Sequence, residues 1–252
     1  MRLADDGSVV TTPPERGCLT CVVVSGVLFI VALGVLAFMW PKIVSSLEFG
    51  FKDVLLVQAS SQDHYKIQRI RDDDDDEQGE YLSIPDMPLL EEDDKSTTDE
   101  PTYAIPARLR EKVVKDGGLM NLGAYTLVYY LPDGQGGWRR DDGTPPPEDP
   151  AAADERERAF VIYAVPAHPR WLGRHVLVVD QGRRLEDGSL ERVIYFTENA
   201  SVLEEGGVGY DATRLPAANA AYPPGSSALT QPLGQGAAEQ SGTDGMIWRR
   251  LD

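Results

Sequence analysis

The sequence predicts an α+β protein with a single N-terminal transmembrane helix, an acidic flexible tether and a small, mainly antiparallel β-sheet domain with one short helix. Three observations lead to this prediction. An uncharged apolar run lies near the amino terminus, a strongly acidic stretch follows, and the later residues contain short runs rich in Val, Ile, Tyr and Phe, which favour strands. The predicted boundaries are a tail at 1–17, the transmembrane helix at 18–41, a juxtamembrane helix at 42–71, the acidic disordered linker at 72–103 and the soluble domain at 104–252.

The apolar run extends from Cys18 to Trp40, and no charged residue occurs between Gly17 and Pro41. As a helix it would be about 35 Å long, which is enough to cross a hydrocarbon layer of about 30 Å with some tilt. A cleaved signal peptide is disfavoured, because its apolar core is usually shorter and because Trp40-Pro41-Lys42 stands in place of a small-residue cleavage site. We therefore expect an uncleaved anchor in a bacterial-type inner membrane. The positive amino terminus favours an orientation with the C-terminal domain outside the cytoplasm.

Apolar residues continue at helical spacing through residues 42–70. This pattern predicts a juxtamembrane helix that rests on the membrane face or on a partner. The alternative is a frayed continuation of the anchor, with a bend at Gly50. The apolar positions are Ile43, Val44, Leu47, Phe51, Val54, Leu55 and Leu56.

The stretch from Asp72 to Glu100 holds 14 acidic residues and a single basic one, Lys95. Mutual repulsion and the prolines at 85 and 88 predict an extended, mobile tether. The alternative is a strip that orders on a basic partner through an apolar island between two acidic blocks. That island consists of Tyr81, Leu82, Ile84, Met87, Leu89 and Leu90.

The formal net charge is −17, and most of this net negative charge lies in the first 100 residues, which carry 8 basic and 20 acidic side chains. Such a chain is repelled by nucleic acids and anionic headgroups, so no nucleic-acid partner is expected and lipid attachment depends on the apolar helix. The only cysteines are Cys18 and Cys21. The soluble domain must therefore be stable without disulfides.

The folded domain is predicted to start near Ala104 with a short helix, because Pro106 suits a first helical turn and Gly117 suits a helix end. Strands are predicted at 124–131, 159–165, 175–180, 192–197 and 246–251. Asp187-Gly188 predicts a hairpin turn between the third and fourth of these strands. The two long loops, residues 141–155 and 206–245, are predicted to be disordered or to lie across a neighbour.

Chemical motifs give little support to catalysis. The three histidines show no metal-ligand spacing, and nucleophile and phosphate-binding motifs are absent, so no cofactor or metal is expected. An enzyme with a nonstandard site stays as a third alternative, with His175, Asp180 and Glu198 near one sheet edge as its candidates. Asn199-Ala200-Ser201 fits the glycosylation acceptor pattern.

These features together predict a non-catalytic single-pass subunit or accessory factor of a larger membrane protein complex. Its expected partners are other membrane proteins of that assembly, or identical subunits, and the lipid bilayer. Gly26 and Gly34 form a small-residue seam on which a second transmembrane helix could pack. Trp138, Trp171 and Trp248 are the predicted partner contacts on the domain, because aromatic and arginine-rich edges are common interface anchors.

A filament component is the main alternative. The order of an amino-terminal apolar helix and an antiparallel sheet resembles that of pilin-like and pseudopilin-like proteins, and Gly17 precedes the apolar run as their processing site does. The acidic fifth residue and the aromatic residue typical of that family are absent. The resemblance implies a mature chain that begins at Cys18, which sequencing of the amino terminus would detect.

Overall fold

The computed structural model describes residues 29–35, 39, 51–63, 81, 89–90, 105–106, 111–113, 115–142, 144, 150–167, 174–199 and 209–251. The chain separates into two compact units, Met1–Ser46 and Leu47–Asp252. In the first unit, residues 29–35 form a helix, α1. Its large apolar side chains are exposed, and they are Phe29, Ile30, Val31, Leu33 and Val35.

Most of the predicted transmembrane segment, residues 18–41, lies outside the described residues. Of the helices that the structure describes, none has both the length and the apolar character needed to cross a membrane. The transmembrane helix therefore stays a prediction.

The second unit is built on one eight-stranded sheet, in which every neighbouring pair is antiparallel. The strands of this sheet are β3 (Met120–Asn121), β4 (Tyr125–Pro132), β5 (Trp138–Arg140), β6 (Val161–Pro166), β7 (His175–Asp180), β10 (Ile194–Glu198), β11 (Glu239–Ser241) and β12 (Ile247–Leu251). The strand order is β11-β12-β10-β7-β6-β4-β3, and β5 also pairs with β4. The prediction of a mainly antiparallel sheet with few helices is confirmed.

Two pairs of short strands lie outside the main sheet. The first is β1 (Leu89–Leu90) with β2 (Ile105–Pro106), which run parallel. The second is β8 (Arg183–Arg184) with β9 (Leu190–Glu191), which are antiparallel and extend the connection between β7 and β10. The predicted turn at Asp187-Gly188 is confirmed at its tip, because Asp187 Oδ1 accepts the Ser189 amide at 2.9 Å and Gly188 has a φ of +83°.

The central strands are buried on both faces. Every residue of β4 and β6 is buried, as in a sheet covered from two sides, so these strands are nearly continuous apolar runs without alternation. The first face of the sheet carries Tyr125, Leu127, Ile162, Leu177 and Ile194. The second face carries Val128, Tyr163, Val178, Tyr195 and Trp248.

The first face is covered by a helix, α2, which the structure describes over residues 51–63. Phe51, Leu55 and Ala59 are four residues apart, so they lie on one side of the helix, and all three are buried against the sheet. The Phe51 ring stacks on Tyr125 with a centroid distance of 4.5 Å.

The packing of α2 differs from the expectation that this apolar side rests on the membrane or on a partner. The described helix packs on the sheet of its own chain. That sheet presents a row of large apolar side chains, and Phe51 and Leu55 become buried by packing against them. Tyr81, which falls in the predicted linker, is also a buried member of this core. The folded unit therefore begins well before the predicted boundary at residue 104.

The second face is covered by residues 209–238, which we call the strap. The strap has no regular structure apart from turns and one short 3-10 helix, Leu233–Gln235. It lies within the predicted long loop 206–245 and covers its own sheet, with Ala218, Ala220, Ala221 and Tyr222 buried. Small side chains allow an irregular segment to approach an aromatic surface closely. Such a segment has no hydrophobic periodicity, so the sequence pattern does not identify it as part of the core.

Two further segments differ from their predictions. Residues 111–113 are helical, and Gly117 has the expected left-handed backbone with a φ of +67°, but Ile105–Pro106 forms a strand and not a first helical turn. A further helix, α3 (Pro150–Arg156), occupies the end of the predicted loop 141–155. Proline at the first helical position, followed by alanines, explains this helix.

Candidate functional site

Asp180 is the most deeply buried acidic side chain among the described residues. It ends β7 on the second face of the sheet, and its side chain is excluded from solvent. One carboxylate oxygen accepts the Tyr222 hydroxyl at 2.9 Å and the Leu233 amide at 2.7 Å, and the other accepts the Gly182 amide at 2.9 Å. Both Tyr222 and Leu233 belong to the strap, so this carboxylate fastens the strap to the sheet.

Burial raises the pKa of Asp180 above its usual value, although the three donors and the Arg192 guanidinium act in the opposite direction. Removal from water disfavours the charged form, and the hydrogen bonds compensate for only part of that cost. Asp180 therefore holds a proton to a higher pH in the folded protein than in the unfolded chain.

This shift predicts a pH dependence of stability. The folded state binds more protons than the unfolded state between about pH 4, the usual Asp pKa, and the raised pKa of Asp180. The contribution of Asp180 to the free energy of unfolding is complete below that window and is lost as the pH rises through it. Asp180→Asn cannot ionise, so urea titrations should show the stability advantage of the natural protein over this variant shrinking as the pH rises. An advantage that grows with pH would contradict the assignment.

Side-chain donors of the sheet reach main-chain carbonyl groups of the strap. The hydroxyls of Tyr163 and Tyr130 donate to the carbonyls of Ala218, at 3.0 Å, and of Pro216, at 2.5 Å. Tyr195 also donates to Ala237, Gln181 to Ala228 and Gln240 to Ala221. The strap is therefore held on the sheet by hydrogen bonds to its main chain as well as by the packing of its apolar side chains.

On the first face, a charged cluster joins α2 to the strand end. Arg192 forms an ion pair with Asp63, the last described residue of α2, and its guanidinium carbon lies 5.8 Å from the centre of the Phe160 ring. Tyr81 packs edge-on against Phe160 at 4.7 Å, and its hydroxyl donates to Asp63 Oδ1 at 3.5 Å. Burial, and next the neighbouring Asp63 charge, raise the pKa of Tyr81, so its hydroxyl stays protonated and can donate.

Gly182 lies between this charged cluster and the buried carboxylate of Asp180, and the space there fits only a glycine. It has a φ of +79°, and a Cβ atom there would lie 2.6 Å from the Glu191 carbonyl oxygen and 2.7 Å from Arg192 Cγ. A larger residue would force apart the strand end and the arginine. The two anchoring clusters thus meet through one glycine.

The predicted partner residues are distributed over different environments. Gly26 and Trp171 lie outside the described residues. Gly34 belongs to α1, and among the described residues no atom beyond its chain neighbours and the backbone of its own helix lies within 4 Å of the position that a Cβ atom would take there. Trp138 starts the edge strand β5 and is half-buried against the second-face core.

Trp248 is a core residue, in contrast to its predicted role as a partner contact. Its side chain is fully buried on the second face, and its indole N–H donates to Asp244 Oδ1 at 3.3 Å. Its ring meets Tyr163 edge-on at a centroid distance of 5.9 Å. The alternation along β12 points Trp248 inward and Arg249 outward, so the aromatic ring has no surface to offer a partner.

The three residues of the enzyme alternative do not converge. His175 and Glu198 are opposite each other in the β7–β10 register. Asp180 lies at the other end of β7, about 17 Å away along the strand. Among the residues that the structure describes, no three His, Cys, Asp or Glu side chains come close enough to hold a metal ion.

Asn199, the first residue of the glycosylation pattern, lies among the described residues. Asn199 is buried, and its side chain bonds the main chain of Tyr210 twice, donating to the carbonyl at 2.5 Å and accepting the amide at 2.7 Å. In the folded protein this amide is a structural anchor at the start of the strap and is not presented to solvent.

The tyrosines and the glutamines that bind the strap were missed from the sequence. Their signal was present in part, because Tyr163 and Tyr195 occupy equivalent positions on β6 and β10, the two strands that flank β7, and both pair with Val178. Recognising it requires the strand order, which one sequence does not supply.

Comparison of the chain with protein-family models, with curated proteins and with solved structures finds no match.

Proposed function

We propose that this chain is a single-pass membrane protein that acts through protein–protein contacts, as a non-catalytic subunit or accessory factor of a larger membrane complex. The observation that carries the proposal is the surface of α1. Its five large apolar side chains are exposed, and they lie within an uncharged run that extends from Gly17 to Pro41. A helix whose whole surface is apolar is stable in a lipid bilayer or inside a protein core.

The folded unit supports a contact role. Its most buried carboxylate, Asp180, accepts three hydrogen bonds and anchors the strap, while Asp63 and Arg192 neutralise each other and anchor α2. These ionisable groups serve the packing of the unit. We propose further that the unit lies outside the cytoplasm of a bacterial-type cell, in keeping with the positive amino terminus.

Charges placed in α1 test membrane insertion. Each arginine near the centre of a transmembrane helix costs about 2.5–3.5 kcal/mol of insertion free energy, so Phe29→Arg with Leu33→Arg should move the protein from the alkaline-carbonate-resistant membrane pellet to the supernatant. The matched apolar variant, Phe29→Leu with Leu33→Ile, should stay in the pellet. Extraction of the natural protein by carbonate would contradict the proposed anchor.

Purification in mild detergent tests the contact role. The protein should co-purify with defined membrane proteins, which mass spectrometry would identify, and the same partners should be absent when the Phe29→Arg, Leu33→Arg protein is purified. Recovery of the natural chain as a lone monomer would contradict the subunit proposal while leaving the anchor intact.

A further inference from the structure

The main sheet has an unpaired strand edge on each side. Among the strands that the structure describes, β11 pairs only with β12, and β5 pairs only with β4. The hydrogen bonds of an antiparallel ladder alternate, so every second residue of an edge strand directs its N–H and C=O groups away from the sheet. Such an edge is a template on which another strand can pair.

The ladder of β11 fixes which of its residues face outward. The Ala238 carbonyl, directly before the strand, accepts the Arg250 amide of β12. The alternation then directs the main-chain N–H and C=O groups of Glu239 and Ser241 away from β12. Both residues are exposed, so these groups are accessible to a further strand.

The same reasoning applies to β5 at the opposite side of the sheet. The Asp141 amide, directly after the strand, donates to the Tyr129 carbonyl of β4 at 2.9 Å. The main-chain groups of Trp138 and Arg140 therefore point away from β4. Arg140 is exposed and Trp138 is half-buried, so this edge is accessible as well.

The two edges carry opposite charges, and their sequences already pair once within the chain. The tripeptide Trp138-Arg139-Arg140 of β5 recurs in β12 as Trp248-Arg249-Arg250. In β12, Arg249 stands opposite Glu239 of β11, and its Nε donates to Glu239 Oε2 at 2.8 Å. Two β5 edges would bring arginines together, whereas β5 beside β11 brings an arginine to a glutamate.

Strand direction and side-chain faces agree with a pairing between β5 and β11. Every neighbouring pair in the path from β5 through β4, β6, β7, β10 and β12 to β11 is antiparallel, so β5 and β11 run in the same direction. A second copy shifted sideways without rotation thus places its β5 parallel to β11. Arg139 stands opposite the first-face residue Leu131, and Glu239 is aligned through Arg249 with Phe196 of that face. The charges therefore lie on one side of the joined sheet.

We propose that β11 of one copy pairs in parallel with β5 of a second copy, so that the sheet continues from one molecule to the next. Glu239 then stands opposite Arg139 of the second copy. In a parallel ladder its main chain bonds to the residues that flank Arg139, which are the outward-facing Trp138 and Arg140. Arg139 bonds to Asp142 in its own chain, and a guanidinium has five N–H donors with which it can hold a second carboxylate.

The inference rests on the proposed contact function and names the partner as a second copy of this chain. The two contacting edges are different, so each added copy leaves one edge of each kind unpaired, and the copies form a row and not a closed dimer. Copies anchored alike in one bilayer share one orientation, which the parallel pairing requires. Each strand has only three residues, so association is weak in solution and gains from confinement to the membrane.

Proline substitutions block each edge separately in the full chain in mild detergent. Arg140→Pro and Ser241→Pro each remove one outward amide and leave the inward ladder intact. In sedimentation velocity at up to about 1 mM, the order of effective concentration that tethering supplies, the natural protein should form dimers and longer species. Each proline variant should stay monomeric, and the matched Arg140→Thr and Ser241→Thr proteins, which keep the amide, should associate as the natural protein does.

A mixture of the two proline variants identifies the pairing. Arg140→Pro keeps β11 unpaired and Ser241→Pro keeps β5 unpaired, so the mixture should form dimers and nothing longer. A natural protein that stays monomeric, or an Arg140→Pro protein that forms dimers by itself, would overturn the inference. Sedimentation in detergent does not require insertion into lipid, whereas carbonate extraction does, so the edge pairing and the proposed anchor can fail separately.

Exchange of the charges tests the register and does not depend on the folding of the proline variants. Glu239→Arg should weaken association by about fivefold or more, because an opposite-charge pair becomes a like-charge pair. Mixing this protein with Arg139→Glu should restore association, and mixing it with Arg140→Glu should not. Urea titrations establish that each variant folds. Equal association of natural and Glu239→Arg proteins, or rescue by Arg140→Glu alone, would overturn the proposed pairing.

Discussion

A chain that begins at residue 104 is expected not to fold, although it contains every strand of the main sheet. Without α2 and Tyr81, the first face would expose a row of large apolar side chains that includes Tyr125, Leu127 and Ile162. Full burial of a single Leu or Phe contributes about 1.5–3 kcal/mol, so losing several such contacts removes most of the stability of a small domain. Residues 104–252 should aggregate or lack a cooperative urea transition, whereas residues 47–252 should show one.

A pair of substitutions in α2 provides the matched control. Leu55→Ala removes a fully buried side chain and should lower the free energy of unfolding by about 2–5 kcal/mol, while Val57→Ala changes an exposed position of the same helix and should change it by about 0.5 kcal/mol or less. Equal effects of the two substitutions would show that α2 does not pack as described.

The second large effect is expected at Trp248. Trp248→Ala should lower the free energy of unfolding by about 3–5 kcal/mol, because it leaves a cavity among Tyr163 and the strap alanines and removes the donor to Asp244. Trp138→Ala, at a half-buried edge position, should cost only about 1 kcal/mol. Urea titrations of both proteins measure the difference.

The comparison also separates a core role from a contact role. If Trp248→Ala left stability unchanged and abolished co-purification of membrane partners, the tryptophan would be a contact residue, as the sequence predicts, and would not contribute to the core. Trp138 is the residue of the pair whose exposure allows it to meet a partner.

The strands were predictable because their signal is local. Runs such as YTLVYYLP and HVLVVD are apolar and β-branched over their whole lengths, and the Asp187-Gly188 turn supplies its own geometry through a side chain and a glycine. Each of these features depends on neighbours in sequence. The five predicted strands therefore agree with the structure to within one or two residues.

What covers the sheet could not be predicted in the same way. The apolar side of α2 has the same spacing whether it meets lipid, a partner or its own sheet, so periodicity cannot choose among them. The strap has an alanine, proline and glycine composition typical of exposed loops. Its burial depends on tyrosines far earlier in the chain, such as Tyr163, which lies 55 residues before Ala218.

The role of Asp180 in holding the strap could not be predicted from the sequence for a related reason. Asp180 ends an apolar strand, where an aspartate commonly marks the start of a turn, and its side chain indeed accepts the Gly182 amide. Its second role depends on Tyr222 and Leu233, which approach only after the strap has folded. One sequence does not encode that proximity in any spacing.

The position of β12 in the sheet has a consequence for synthesis. Residues 247–251 pair with β10 on one side and β11 on the other, so the sheet stays incomplete until the ribosome has made them. Translation proceeds at about 5–20 residues per second, which leaves the earlier strands waiting for several seconds or more with an open edge at β10. During that interval the nascent chain needs protection of this edge, and a proposed assembly partner or a chaperone has its earliest opportunity to bind.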